Sequence, residues 1–175
     1  MKIKYFSLLL IVFIVSTFTL SGQSTNSKKT NIIKSNNDIS IMMGTPAYIS
    51  KADSLEFEVW ILSKNKSNEV MNEIFSKMKK DNIEIDKLAK EEILSGTNCV
   101  MVGITNKLNG HVVLATEAKA EVVSPKRENS SVELKPLINY VGGGALLNQK
   151  GAYLFTINMN LPSGNKSLQF KYRVK

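Results

Sequence analysis

One cysteine, one histidine and two arginines in 175 residues each close off a class of chemistry. With Cys99 alone, no disulfide can form within the chain, so the fold must rest on a hydrophobic core. With His111 alone, any imidazole-based triad or metal site has a single residue to be built around. That histidine follows the turn signal Asn109-Gly110, where a side chain is ordinarily solvated. A Cys99–His111 dyad would need a base within hydrogen-bond reach of the thiol. A turn centred at Asn109-Gly110 instead pairs residue 99 near residue 120 and leaves His111 apart. Arg127 and Arg173 are the only arginines in a net charge of +8, the rest of the excess being lysine spread along the chain. Bidentate phosphate recognition favours arginine, so a nucleic-acid partner is not expected. Gly142-Gly143-Gly144 lacks the Lys-Ser/Thr and the strand-to-helix setting of a phosphate loop, and is expected to be a flexible or tightly turning loop. No catalytic set emerges, and the chain is not expected to be an enzyme. A hydrolase or transferase would require Asp53, Glu56 or Glu58 to converge, which their spacing does not ask for.

What the chain does have is a leader. Lys2 and Lys4 precede an apolar run from Tyr5 to Leu20, small residues follow at Ser21 and Gly22, and the composition turns polar at Gln23. That is the pattern of a secretory signal peptide over residues 1–22. The run is short for a membrane span and no basic stop-transfer cluster follows it. Leu20-Ser21-Gly22 would open a bacterial lipobox, but Gln23 stands where acylation needs cysteine. The expectation is a periplasmic or secreted protein, cleaved, not lipidated and with no stable membrane anchor. Loss of Lys2 and Lys4 leaves about +6. Residues 23–38, rich in Ser, Asn, Thr and Lys, read as a flexible tether.

The remaining stretch, 39–175, is long enough for one domain with a real core. Ile39–Ser50 reads as two short β pieces broken at Gly44 and Pro46. Leu55, Phe57, Val59 and Ile61 alternate with Glu56, Glu58, Trp60 and Leu62, a strand whose far end is apolar on both faces. A helical insert follows over about 66–95. Ser67 is its expected N-cap, Val70, Met71, Ile74, Phe75 and Met78 fall at helical spacing, and the helix breaks near Asp81-Asn82. A second helix from about Ile85 to Leu94 carries Leu88, Ala89 and Ile93 as its stripe and Gly96 as its terminator. Strands are then expected over Cys99–Thr105, Val112–Val123 and Val132–Leu134. A closing hairpin alternates Tyr153, Phe155, Ile157, Met159 and Leu161, then Leu168, Phe170, Tyr172 and Val174, around the turn Pro162-Ser163-Gly164-Asn165. About seven strands with turn signals describe a mainly β chain, an immunoglobulin-like antiparallel β-sandwich with a helical insert.

From Gly96 onward the chain resembles YtkA-like exported bacterial domains, relatives in architecture of FixH-type and copper-resistance sandwiches. The residues that carry this are Gly96-Thr97-Asn98-Cys99-Val100-Met101-Val102, Ala120-Glu121-Val122-Val123-Ser124-Pro125, Lys135-Pro136-Leu137 and Lys150-Gly151-Ala152-Tyr153. The resemblance implies a small envelope sandwich without a known catalytic reaction, sometimes acting near metals. Similar domains carry histidines after the Gly-Thr and in the insert, where this chain has Asn98, Cys99 and a histidine-free helix. Only Cys99, Met71 and Met78 are left to hold a soft metal such as Cu(I), for which thiolate and thioether are suited. The leading expectation is a binding or accessory module that engages an envelope protein partner. A copper-binding periplasmic protein using Cys99 and methionines is the alternative.

Overall fold

The computed structural model describes residues 37–84 and 86–175. The expected signal peptide and residues 23–36 of the expected tether lie outside the described residues. The tether's last two residues belong to a short helix, α1 (Asn37–Met43), which replaces the first of the expected β pieces. Ile39 and Met43 of α1 are buried, one turn apart on its inner face.

The chain forms the expected antiparallel β-sandwich with a helical insert. Strands β1 (Tyr48–Ala52) and β2 (Leu55–Ser63) make a hairpin, and β2 runs straight into helix α2 (Lys64–Lys80). Helix α3 (Lys87–Leu94) then leads to β3 (Asn98–Asn106), which pairs back along the whole of β2. The chain crosses to the second sheet for β4 (Glu117–Val123) and β5 (Asn129–Glu133). It returns for β6 (Lys135–Pro136) and β7 (Tyr140–Ala145), and ends with the hairpin of β8 (Gly151–Leu161) and β9 (Gly164–Val174). The five-stranded sheet has the order β1-β2-β3-β7-β6 and the four-stranded sheet the order β5-β4-β8-β9.

Two apolar clusters follow from the alternation. Phe57, Val59, Val100, Val102, Ile104, Phe155 and Ile157 point between the sheets. Trp60, Leu62, Cys99 and Met101 point the other way, under Val70, Met71, Ile74 and Met78 of α2 and Ile93 of α3. The five-stranded sheet is therefore buried on both faces where the helices cover it, which explains why the end of β2 is apolar on both sides. The four-stranded sheet keeps one face in water. Each large side chain moved into these clusters contributes roughly 1.5–3 kcal/mol relative to exposure.

The structure corrects several local expectations. Helix α2 starts at Lys64 with Ser63 as its N-cap, so Ser67 lies inside its first turns, buried, with its hydroxyl against the Cys99 thiol. In α3 only Ile93 is buried and Leu88 is 61% exposed, because the helix meets the sheet only at its C-terminal end. There the Glu92 and Ile93 carbonyls come against Gly144. Gly96 does not adopt a positive φ; it is needed because its α-carbon lies against the Ala145 backbone. Gly142-Gly143-Gly144 is no loop but the middle of β7, paired to Met101, Val100 and Cys99. A Cβ there would lie 2.6 Å from the Met101 sulfur at Gly142, 2.6 Å from Val132 Cγ1 at Gly143 and 2.7 Å from the Glu92 carbonyl at Gly144. Finally, Val112–Thr116 is not strand. After the single bridge Thr105–Val112 the chain changes sheets, so Cys99 pairs with Leu62 and Gly144, and Ala120 with Val132 and Ile157.

Candidate functional site

At the end of the sandwich away from the insert, three turns distant in sequence come together. The β1–β2 turn is Asp53–Ser54, with Asp53 at φ 55, and the β8–β9 turn is Pro162–Ser163. Between them runs the β3–β4 connection, Lys107–Thr116. Its first half is a compact turn held by its own asparagines. Asn106 Oδ1 accepts from Leu108 N at 2.9 Å, Asn109 Oδ1 accepts from His111 N at 2.9 Å, and Gly110 at φ 70 donates to the Asn106 carbonyl at 2.7 Å. Lys107 N donates to the Ser54 carbonyl at 2.8 Å, and Val113 N and Thr116 N anchor the second half to Ile104 and Asn160. The loop is thereby fixed at both ends.

These turns border a cleft of about 520 Å³, floored by Leu55, Val112 and Val113. Leu114, 46% exposed, lines it, while Leu108, 84% exposed, stands on the adjoining tight turn. The loop thus holds two large apolar side chains in water on a fixed backbone, and contact residues concentrate on such positioned loops. On the rim, Lys166 Nζ donates to Asp53 Oδ2 at 2.7 Å, and that bond, with the ammonium charge, holds the Asp53 carboxyl below its ordinary range. A second cleft of about 470 Å³ lies between β4, β5, β6 and β8 and has charged side chains on its rim. Of these, Lys135 reaches Glu133 at 2.5 Å and Glu92 at 3.3 Å. The apolar loop end is the better contact surface.

Sequence-derived candidates lie elsewhere. Cys99, Met71 and Met78 do come together, in the layer between α2 and the five-stranded sheet, with Met43 and Met101 in the same cluster. All are at most 6% exposed. Burial pushes the Cys99 thiol up to about 11, against the opposing pull of the Ser67 hydroxyl. It is a protonated thiol in an apolar layer, and the five sulfurs pack there among aliphatic and aromatic side chains. His111 is exposed on the β3–β4 turn and far in the pairing scheme from Cys99. Of the acidic residues, Glu56 and Glu58 share one face of β2, but Glu56 is engaged by Lys107 at 3.0 Å and Lys51 at 3.4 Å. Burial, and then the Glu56 charge, raise the Glu58 carboxyl above its ordinary value. Tyr140, whose ring packs at 5.9 Å edge-on to Trp60, is pushed up to about 12 by burial and by Glu58. Asp53 does not join them; it is tied to Lys166.

The loop cleft escaped sequence reasoning because no short window contains it. Its one local signal was Leu108 immediately before Asn109-Gly110, an apolar residue in a turn motif. Scanned against protein-family models, the chain matches none, and no curated protein matches it. Among solved structures it is similar to a DUF4426 family protein from Pseudomonas aeruginosa PAO1, at 10% identity and a TM-score of 0.46, over 73% of this chain and 93% of that one.

Proposed function

We propose that the chain is an exported, non-catalytic binding module of the cell envelope that engages a protein partner through its loop end. The observation that carries the reading is the exposure of Leu108 and Leu114 at a loop fixed by hydrogen bonds at both ends. A pre-ordered apolar patch binds without an ordering cost, which is what a docking surface needs. The leader pattern over residues 1–22 supports export to the periplasm or beyond, and the likeness of the C-terminal half to YtkA-like and FixH-like envelope domains fits the same role. A photo-crosslinking residue placed at position 108 or 114 tests it in whole cells. A discrete crosslinked protein is expected from those positions and none from position 72, on the exposed side of α2. The Leu108→Asp chain should lose the crosslink formed from position 114, with a weakening of about 2 kcal/mol, the scale of an interface hot spot. Equal crosslinking from positions 72 and 108 sinks the reading.

A second reading, soft-metal binding, is favoured by the convergence of Cys99, Met71 and Met78 with two further methionines. Here a Cu(I) ion would have to displace a proton from a thiol at about 11 and part α2 from the sheet. Titration with Cu(I) against a competing chelator decides it. Sub-micromolar binding lost in Cys99→Ser supports it, and its absence ends it.

A further inference from the structure

From Leu134 to Lys175 the chain carries no acidic side chain. The fold gathers four of the six cations of this stretch, Lys150, Lys171, Arg173 and Lys175, with two others at one corner of the four-stranded sheet, while Lys135 and Lys166 are ion-paired elsewhere. Lys171 and Arg173 lie opposite Leu154 and Ala152, on the face turned away from the core, and Lys150 and Lys175 flank the last pair, Gly151–Val174. The β4–β5 turn brings Lys126 and Arg127 alongside, because Pro125 packs on Gly151 so closely that a Cβ there would be 2.9 Å from its ring. Arg127 is held at φ 66 by the turn, whose Ser124 hydroxyl accepts from Lys126 N and Glu128 N, both at 3.2 Å. Both arginines of the chain thus stand in one corner, although 46 positions separate them. All six cations are exposed, and none makes an ion pair among the described residues. The corner's one acidic side chain, Glu128, accepts from the Gln149 amide at 2.9 Å and keeps its charge, which six cations outnumber. Glu121, the next on that face, is a row further along, opposite Thr156.

We propose that this corner docks the protein on an anionic membrane face through lipid headgroup phosphates. The cations come from three separate segments across the width of β4, β8 and β9, so they form a plane rather than line a groove. A planar array of lysine-rich charge matches a planar anionic surface, and each basic residue near such a surface adds to attraction within a Debye length. The outward positions of β4, β8 and β9 carry no aromatic ring on which a nucleic-acid base could stack. The surface is separate from the loop cleft, so this proposal can fail or stand without the protein-partner reading.

Sedimentation of the chain from Gln23, the form expected after leader removal, with phosphatidylglycerol-containing vesicles, against vesicles of phosphatidylcholine alone, tests it without binding by the apolar run Tyr5–Leu20. The expected result is binding that requires the anionic lipid and falls steeply with salt. Lys171→Gln with Arg173→Gln should weaken it roughly twenty-five-fold, about fivefold per cation. Lys79→Gln with Lys80→Gln, which removes the same charge from α2, should leave it within twofold. Three results would overturn the proposal. These are no preference for the anionic vesicles, equal weakening by both double variants, and binding to soluble polyglutamate but not to vesicles, which would assign the corner to an acidic protein.

Discussion

Gly143 shows how a single missing side chain positions two layers. Its α-carbon faces the Glu133 carbonyl and the Val132 side chain, where β5 passes over β7. Gly143→Ala forces a methyl into that contact, and such overpacking costs roughly 1–3 kcal/mol, to be read as a lower urea midpoint at unchanged slope. Cys99 makes a kinetic prediction. With its thiol raised to about 11 and fully buried, it should stay unreactive to a disulfide reagent at pH 8 in the folded chain and react at once in urea. Glu58 makes a third, and its sign can be worked out. Its folded carboxyl titrates above the ordinary 4.5, so between those values the folded state holds more protons than the unfolded. Stability from this group is therefore lost as pH rises through that window. Glu58→Gln should raise the melting temperature at pH 7, with the gain disappearing below about pH 4.5.

At the scale of elements, Leu108 and Leu114 separate folding from contact. Because Leu108 is 84% exposed, Leu108→Asp should change unfolding free energy by less than about 0.5 kcal/mol while weakening the proposed partner contact by about 2 kcal/mol. An unfolded or aggregated variant would show that the loop is part of the core after all. The same elements explain what the sequence discloses. The closing hairpin is legible because Tyr153 to Leu161 and Leu168 to Val174 alternate against water on one side. Helix α2 is legible from Val70 to Met78, although its start shifted to Lys64 because β2 enters it without a turn. Strand β7 is not legible, since three glycines have no side chains to alternate and their reason lies in α3 and β5. Helix α1, seven residues long, is too short to show a period and is set by Ile39, Met43 and the Trp60 indole, which donates to the Gly44 carbonyl at 2.8 Å. The loop cleft is hidden for another reason. It needs the register that places Asp53, Leu114 and Pro162 together, and that register depends on the sheet change after Thr105.

The whole molecule distributes charge and order unevenly. Arg127 and Arg173 look like isolated members of a dispersed basic composition until β8 joins β4 to β9. The same strand completes the four-stranded sheet, with β4 on one side and β9 on the other. Removing residues 164–175 would expose Phe155, Ile157 and the stacked partner of Phe170, whose ring lies 5.2 Å from Phe155 and 4.8 Å from Tyr48. The shortened chain is expected to lose cooperative unfolding altogether, visible as the absence of a sigmoidal thermal transition.

That dependence on the last hairpin has a consequence in time. Strand β3 waits 34 residues, from Asn106 to Tyr140, for β7 to begin before its second edge is paired, and β4 waits 28, from Val123 to Gly151, for β8. A growing polypeptide emerging N-terminus first therefore has no closed sandwich to settle into until β8 and β9 have been made.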